Sequence, residues 1–299
     1  MASAAVVRQR VKDYLYGSDY LKRPFTDFLN QDGNVSSSDT VITVSNISSW
    51  GVGDIVEFNT GEQAYIKNVS LDNNRFTVAR AWNGTTAATV TDLTAIEKNP
   101  RFTYAQIDNA VGSIIDELYP EVYIFGTGNS TANNSSWYYT TNDTGLKEIL
   151  SVYYPRSGSL GNDEPWVVNT WKMNKHMHTS GFANGIGLTM WDYGELSHGD
   201  TFYYTFRKEI GATTDLEDRQ VELVVLGAVF KLMGSTVPPA TNATKDTRQV
   251  TQPGQEVRDS NWFLSEYLRA RKEENMRLKE EERFVLTSRQ TRKQRTYRD

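Results

Sequence analysis

Few residues in this chain have the type and spacing that chemistry requires. There are three His and no Cys. Two of the His lie in Lys175-His176-Met177-His178. If that run is a strand, residues i and i+2 share a face, and both imidazoles could reach one ion. A closed site needs more ligands, and His198 would have to supply one from a separate loop. A solvated strand or a subunit contact is the better reading, so no metal ligand is assigned. Asp192, Glu195 and Asp200 suit turn-capping better than a catalytic carboxylate pair. Gly181 to Gly187 lacks the Lys-Ser/Thr pair and the following helix of a phosphate loop, and reads as a hairpin turn. Ser157-Gly158-Ser159 has the wrong spacing for a nucleophile elbow, and no Ser-His-Asp or Cys-His constellation is recognisable. Trp166, Trp171 and Trp191 would suit sugar stacking if exposed, but core packing is the default for large aromatics in a β-rich block. The expectation is a protein that is not an enzyme, with no catalytic residue and no cofactor.

The strongest signal is charge asymmetry. From Arg283 to Asp299 there are six Arg/Lys against one acid, about +5, whereas the whole chain carries −5 and its remainder therefore about −10. Arg289, Arg292, Lys293, Arg295, Tyr297 and Arg298 form this tail. It has too little apolar surface to fold alone, but it can order on a partner. Three readings of the tail are open: a phosphate backbone, an acidic groove on a partner protein, or a solvated end. The protein partner is favoured, because the acidic remainder would repel DNA.

The elements that must position this tail follow from pattern. Residues 3–16 read as a helix with Ser3 as N-cap, a Val7/Val11/Tyr14/Leu15 stripe and a stop at Gly17. Tyr20 to Leu29 reads as a short amphipathic piece interrupted by Pro24. From about 34 to 99 the period changes to two, with strands at 41–44, 55–58, 64–69 and 76–80 separated by Gly/Asp/Asn turns, a small antiparallel barrel or sandwich. Thr103 and Gln106 form a capping box for a helix whose Ile107, Val111, Ile114, Ile115 and Leu118 share a face, and Pro120 ends it. Gly126 to Asn134 reads as a polar loop. Strands at 137–140, 147–154, 166–173, 187–191 and 201–207 suggest a second, sandwich-like block. A helix over 214–233, boxed by Thr214 and Glu217 and closed by Gly234 and Pro238, is apolar around most of its circumference and needs neighbours on several sides. The last helix, Trp262 to about Arg283, carries a narrow seam of Leu264, Tyr267, Leu268, Met276 and Leu278.

The fold class expected is therefore α+β: a discontinuous helical core carrying two antiparallel β insertions and an extended basic C-terminal tail. Core parts are 1–33, 100–125 and 212–285, the insertions 34–99 and 126–211, and the tail 286–299. At 38% apolar content and a mean hydropathy of −0.56, several thin cores fit better than one large one. The absence of Cys excludes disulfide and thiolate chemistry. Neither a signal peptide nor a transmembrane helix is expected, and no membrane partner.

The segment from Gly53-Asp54 through Glu62-Gln63 to Arg80-Ala81-Trp82-Asn83-Gly84-Thr85 resembles a recurring β module of tailed-phage virion proteins. That module has a Gly-Asp turn, a Glu before the second strand of its hairpin, and a strand ending Arg-x-x-x-Gly-Thr. The Gly common immediately after the Arg is Ala81 here. By arrangement, the helical frame with its basic end resembles the head-to-tail adaptor proteins of tailed bacteriophages, which are also called connector or head-completion proteins. Typical adaptors are smaller and mostly helical, so the two β insertions are a departure. The resemblance implies a ring, of twelve subunits by analogy, at the virion neck after assembly in the host cytoplasm. It also implies a portal protein as the docking partner of the tail, a next neck or tail protein as neighbour, and genomic DNA passing through without sequence-specific contact. The alternative is a phage tail or baseplate protein holding a host sugar on its second β block.

Overall fold

The computed structural model describes residues 3–17, 23–132, 138–141, 143–154, 166–168, 170–182, 185–190, 199–236 and 255–290. The chain is α+β, with all strand pairing antiparallel among the described residues. It divides into two compact units, Ser3–Ser113 with Val224–Ser265, and Ile114–Leu223 with Glu266–Asp299.

The first unit opens with α1 (Ala4–Leu15). Ser3 caps it by accepting the Val6 N–H, and Val7, Val11 and Leu15 are buried. Tyr14 is exposed at its edge rather than part of the stripe. Six strands follow: β1 (Phe25–Phe28), β2 (Val41–Thr43), β3 (Ile55–Phe58), β4 (Gln63–Ser70), β5 (Arg75–Ala79) and β6 (Ala95–Lys98). Their order is β1-β6-β3-β4-β5-β2. A Leu29–Val44 bridge joins the two outer strands, so the sheet closes on itself and leaves no open edge. The core is the inward half of each alternating pattern: Ile42, Val44, Val56, Phe58, Ile66, Phe76, Val78 and Ile96, all at 0–1% exposure.

Two strands of this barrel are not apparent in the sequence pattern. Phe25 to Phe28, expected as part of an amphipathic helical piece, is β1, paired with β6 through Phe25–Lys98 to Phe28–Ala95. Pro24 biases the backbone before it toward extended geometry, three of the four residues of Phe-Thr-Asp-Phe are strand formers, and the inward one, Asp27, is held by the Trp50 Nε1–H at 3.0 Å. The barrel thus begins near residue 25 rather than 34. α2 (Tyr104–Leu118) starts where the capping box places it: the Thr103 N–H donates to Gln106 Oε1 at 3.0 Å and the Gln106 N–H to Thr103 Oγ1 at 3.2 Å.

The second unit is built on β7 (Ile124–Thr131), β8 (Tyr138–Thr140), β9 (Leu146–Tyr154), β10 (Trp166–Val168), β11 (Trp171–Asn174), β12 (Gly187–Met190) and β13 (Thr201–Lys208). They form a four-stranded sheet, β10-β9-β13-β7, and a three-stranded one, β11-β12-β8. Residues of both sheets, including Ile149, Val152, Leu188, Met190, Phe202, Tyr204 and Phe206, make one apolar cluster. The expected run 166–173 is two strands, one in each sheet. β7 corrects the expectation of a polar loop from Gly126. It pairs with β13 along its whole length, and a Cβ on Gly126 or Gly128 would run into the rings of Phe206 and Tyr204. The glycines make room for those rings, and the rings cover the strand that glycine weakens.

α3 (Asp218–Thr236) and α4 (Gln255–Gln290) follow, and each contributes residues to both units. Thr214 lies in a 3-10 turn and does not cap α3. The capping contact lies three residues later: the Glu217 N–H donates to Gln220 Oε1 at 3.2 Å. α3 also runs past Gly234, and Pro238 lies outside the described residues. Its apolar side chains are buried nearly all round, Val221, Leu223, Val224, Val225, Val229 and Leu232 among them. α4 has 36 residues, about 54 Å at 1.5 Å per residue. It extends the expected helix at both ends and takes in the first residues of the expected tail.

Candidate assembly surface

The expected docking residues stand at the end of α4. Arg289 falls in its last turn. Arg292, Lys293, Arg295, Tyr297 and Arg298 lie outside the described residues. What the structure places is the seat of the helix that carries them.

Within the second unit the buried side of α4 is Tyr267, Glu274 and Leu278. Leu268 and Met276, expected in the seam, are about half exposed. A helix seam is set by the 3.6-residue period, and Tyr267, Glu274 and Leu278 keep it at spacings of seven and four. That period selects Glu274, a charged residue that a search for apolar residues passes over.

Glu274 is 7% exposed and fully engaged. It accepts from Gln220 Nε2 of α3 at 3.2 Å and from both Arg277 Nε and Nη2, at 2.9 and 2.6 Å. Burial opposes its charge, but the Arg277 guanidinium outweighs burial and holds the carboxyl below the usual range. Arg277 also reaches Glu217, just before α3, at 2.9 Å and Glu281 at 2.6 Å. One turn on, Glu282 takes both contacts from Arg207 Nη2 of β13, at 2.7 and 2.6 Å, and the Tyr123 hydroxyl at 2.9 Å. Arg207 lies over the Tyr123 ring at 4.8 Å and bonds Glu148 of β9 at 2.8 Å. At the other end of the segment Arg271 pairs with Glu121 at 2.8 Å. About three turns of α4, from Arg271 to Glu282, are thus riveted to α3, β13 and the 121–123 segment by charge-assisted hydrogen bonds, which fix rotation and register better than an apolar seam can. The sequence signal was present in the Arg/Glu alternation of 269–283, which otherwise reads as solvated charge.

The motif residues of the barrel form a second built feature. Glu62 is 1% exposed and receives Arg80 Nε and Nη2 at 2.6 Å each. It also accepts the N–H groups of Ala81 and Ala88, at 3.2 and 2.9 Å. Arg80 spends its remaining donors on the carbonyls of Ser36, Asp39 and Ala88. Thr85 Oγ1 accepts the Gln63 N–H at 3.0 Å. The Glu, Arg and Thr of the module therefore pin the 80–90 loop against the 36–39 loop, and all are spent internally. Ala81 has φ 55 and ψ 38, the left-handed conformation that explains a glycine at the equivalent place in the module.

The remaining candidates do not converge. β11 ends at Asn174, so His176 and His178 sit in the following turn and share no strand face; His176 has φ 64 and His178 Nδ1 pairs with Ser180 Oγ at 2.7 Å. No group of three metal-ligating side chains exists among the described residues. His198, Asp192, Glu195 and Ser157-Gly158-Ser159 lie outside the described residues. The described residues among 181–186 belong to the connection between β11 and β12, with the Met177 N–H on the Gly185 carbonyl at 2.8 Å, and Gly187 begins β12. Trp171 packs against the sandwich core. Trp191 and the Trp166 side chain are outside the described residues. No described helix is long and apolar enough to cross a membrane. No protein-family model matches the chain, and no curated protein matches it.

Proposed function

We propose that this protein is a structural virion component: an adaptor ring joining the portal to the neck or tail of a tailed phage and leaving a channel for DNA. The observation that carries this reading is the seating of α4. A 36-residue helix is held by a ladder of partly buried ion pairs between Arg271 and Glu282, and the basic tail follows it in the sequence. Such a helix is a rigid arm, and a rigid arm presents a charged, partner-ordered segment at a fixed place. Repetition around a ring then converts weak single contacts into a strong set. The barrel, with its phage-module residues spent on its own loops, supports the same reading from a separate part of the chain. The chemistry of this protein is assembly, with the acidic remainder of the chain discouraging DNA from adhering to the channel wall. The test is imaging and native mass measurement of the purified protein, alone and mixed with its portal. Rings that cap the portal support the proposal. A monomer that stays separate from portal at micromolar concentration refutes it.

A further inference from the structure

The outer face of the barrel in the first unit carries two carboxylates placed against each other. Glu57 of β3 and Glu97 of β6 are direct cross-strand partners, so their side chains leave the same face with Cβ atoms about 4.5–5.5 Å apart. Like charges at such a pair repel, yet Glu57 is 1% exposed. One cation serves both. Lys12 of α1, 5% exposed, bonds Glu97 Oε1 at 2.7 Å and lies 3.7 Å over the Tyr104 ring. Glu57 Oε1 accepts the Tyr104 N–H at the start of α2, at 3.0 Å, and Gln63 Nε2 of β4 at 3.3 Å. The second oxygens, Glu57 Oε2 and Glu97 Oε2, are both buried with no hydrogen-bond partner among the described residues. The other groups facing the cluster are Tyr16, buried beyond the end of α1, and Arg101 ahead of α2. Arg8 also lies over the Tyr104 ring, at 5.4 Å, and is paired with Asp108.

We infer that Glu57 carries a proton on its unpartnered Oε2 in the folded chain, facing Glu97 across the strand pair, and that this proton latches α1 and the first turn of α2 onto the barrel. A proton there removes the cross-strand repulsion and leaves one carboxylate for one lysine. Without it the pair holds two buried negative charges against Lys12. Burial is the main influence on Glu57 and pushes its carboxyl up to about 7. The sign follows. A carboxyl whose folded value lies above its unfolded value of 4.5 contributes stability that is complete below pH 4.5 and is lost as pH rises to about 7. The latch is closed in mild acid and open in mild base.

Two measurements on the full chain test it. The first compares wild type with Glu57→Gln, whose amide supplies the donor permanently. The wild-type unfolding constant should rise relative to that of the variant by roughly fiftyfold between pH 5 and 7.5. Amides of residues 4–15 should then exchange more slowly in the variant at pH 8 and equally at pH 5. A ratio independent of pH overturns the inference. The second needs no variant: an infrared carbonyl band of a protonated carboxyl should be present in wild type at pH 6 and vanish by pH 8.5. Its absence at pH 6 overturns the inference even if Glu57→Gln fails to fold.

Discussion

Single residues of the barrel module carry opposite kinds of stress. Ala81 is left-handed, which costs an L-residue about 1–2 kcal/mol. Glycine removes that cost but adds about 0.4–1 kcal/mol of unfolded-state entropy. Ala81→Gly should therefore stabilise the protein by about 0.5–1 kcal/mol, read as a higher urea midpoint at unchanged slope. Glu62 is the reverse case, with its strain resolved by Arg80. Burial raises its carboxyl but the Arg80 guanidinium lowers it further, so the net value sits below the usual 4.5. Its stabilising contribution is complete above pH 4.5 and lost as pH falls below that. Arg80→Ala would strand a buried carboxylate and should cost about 3–5 kcal/mol, measured by chemical unfolding at pH 7. Most of that penalty should disappear at pH 3, where the carboxylate can protonate in both states.

At the scale of elements, two contacts decide geometry. Gly126 of β7 leaves space that the Phe206 ring fills. Gly126→Ala should destabilise by about 1–3 kcal/mol through overpacking, with the loss seen in thermal unfolding. Arg277→Ala should loosen α4 rather than unfold the chain. Its side chain is 23% exposed, so the cost should lie near 2–3 kcal/mol, below that of a fully buried pair. Faster amide exchange over 266–290 with little change in the barrel would be the signature. These same elements explain what could be read from the sequence. α1, α2 and the strands at 41–44, 55–58 and 76–80 were legible because caps and periodic apolar residues agree there. β7 was hidden because its pattern is Gly-Thr-Gly-Asn and its stabilising rings belong to β13, some 75 residues away in sequence. β1 was hidden because its one buried residue is Asp27 while both its Phe are exposed, and β6 because Ile96 alone among its four residues is buried. The α4 seam was misplaced because one of its buried positions is Glu274. Glu57 was invisible as a site because an outward Glu in an alternating strand normally faces water.

For the whole molecule, charge separation is the organising fact. A chain of net −5 contains a basic run at 283–299, and α4 leads into that run in the sequence. The helix reaches Gln290, so tryptic cleavage of the free protein should begin beyond it, at Arg292 to Arg298, and should be suppressed in the assembled particle. Each tail ion pair is worth only about 0.2–1 kcal/mol, so one substitution should do little. Replacing Arg289, Arg292, Lys293, Arg295 and Arg298 together by Gln should leave the fold intact and yield heads that fail to join tails or lose their DNA. The most direct measurement is binding of this five-site variant to isolated, DNA-free portal, beside the wild-type protein. Docking through the tail predicts that the wild type binds and the variant does not, with identical unfolding curves for both. Undiminished binding of the variant to that portal would contradict it.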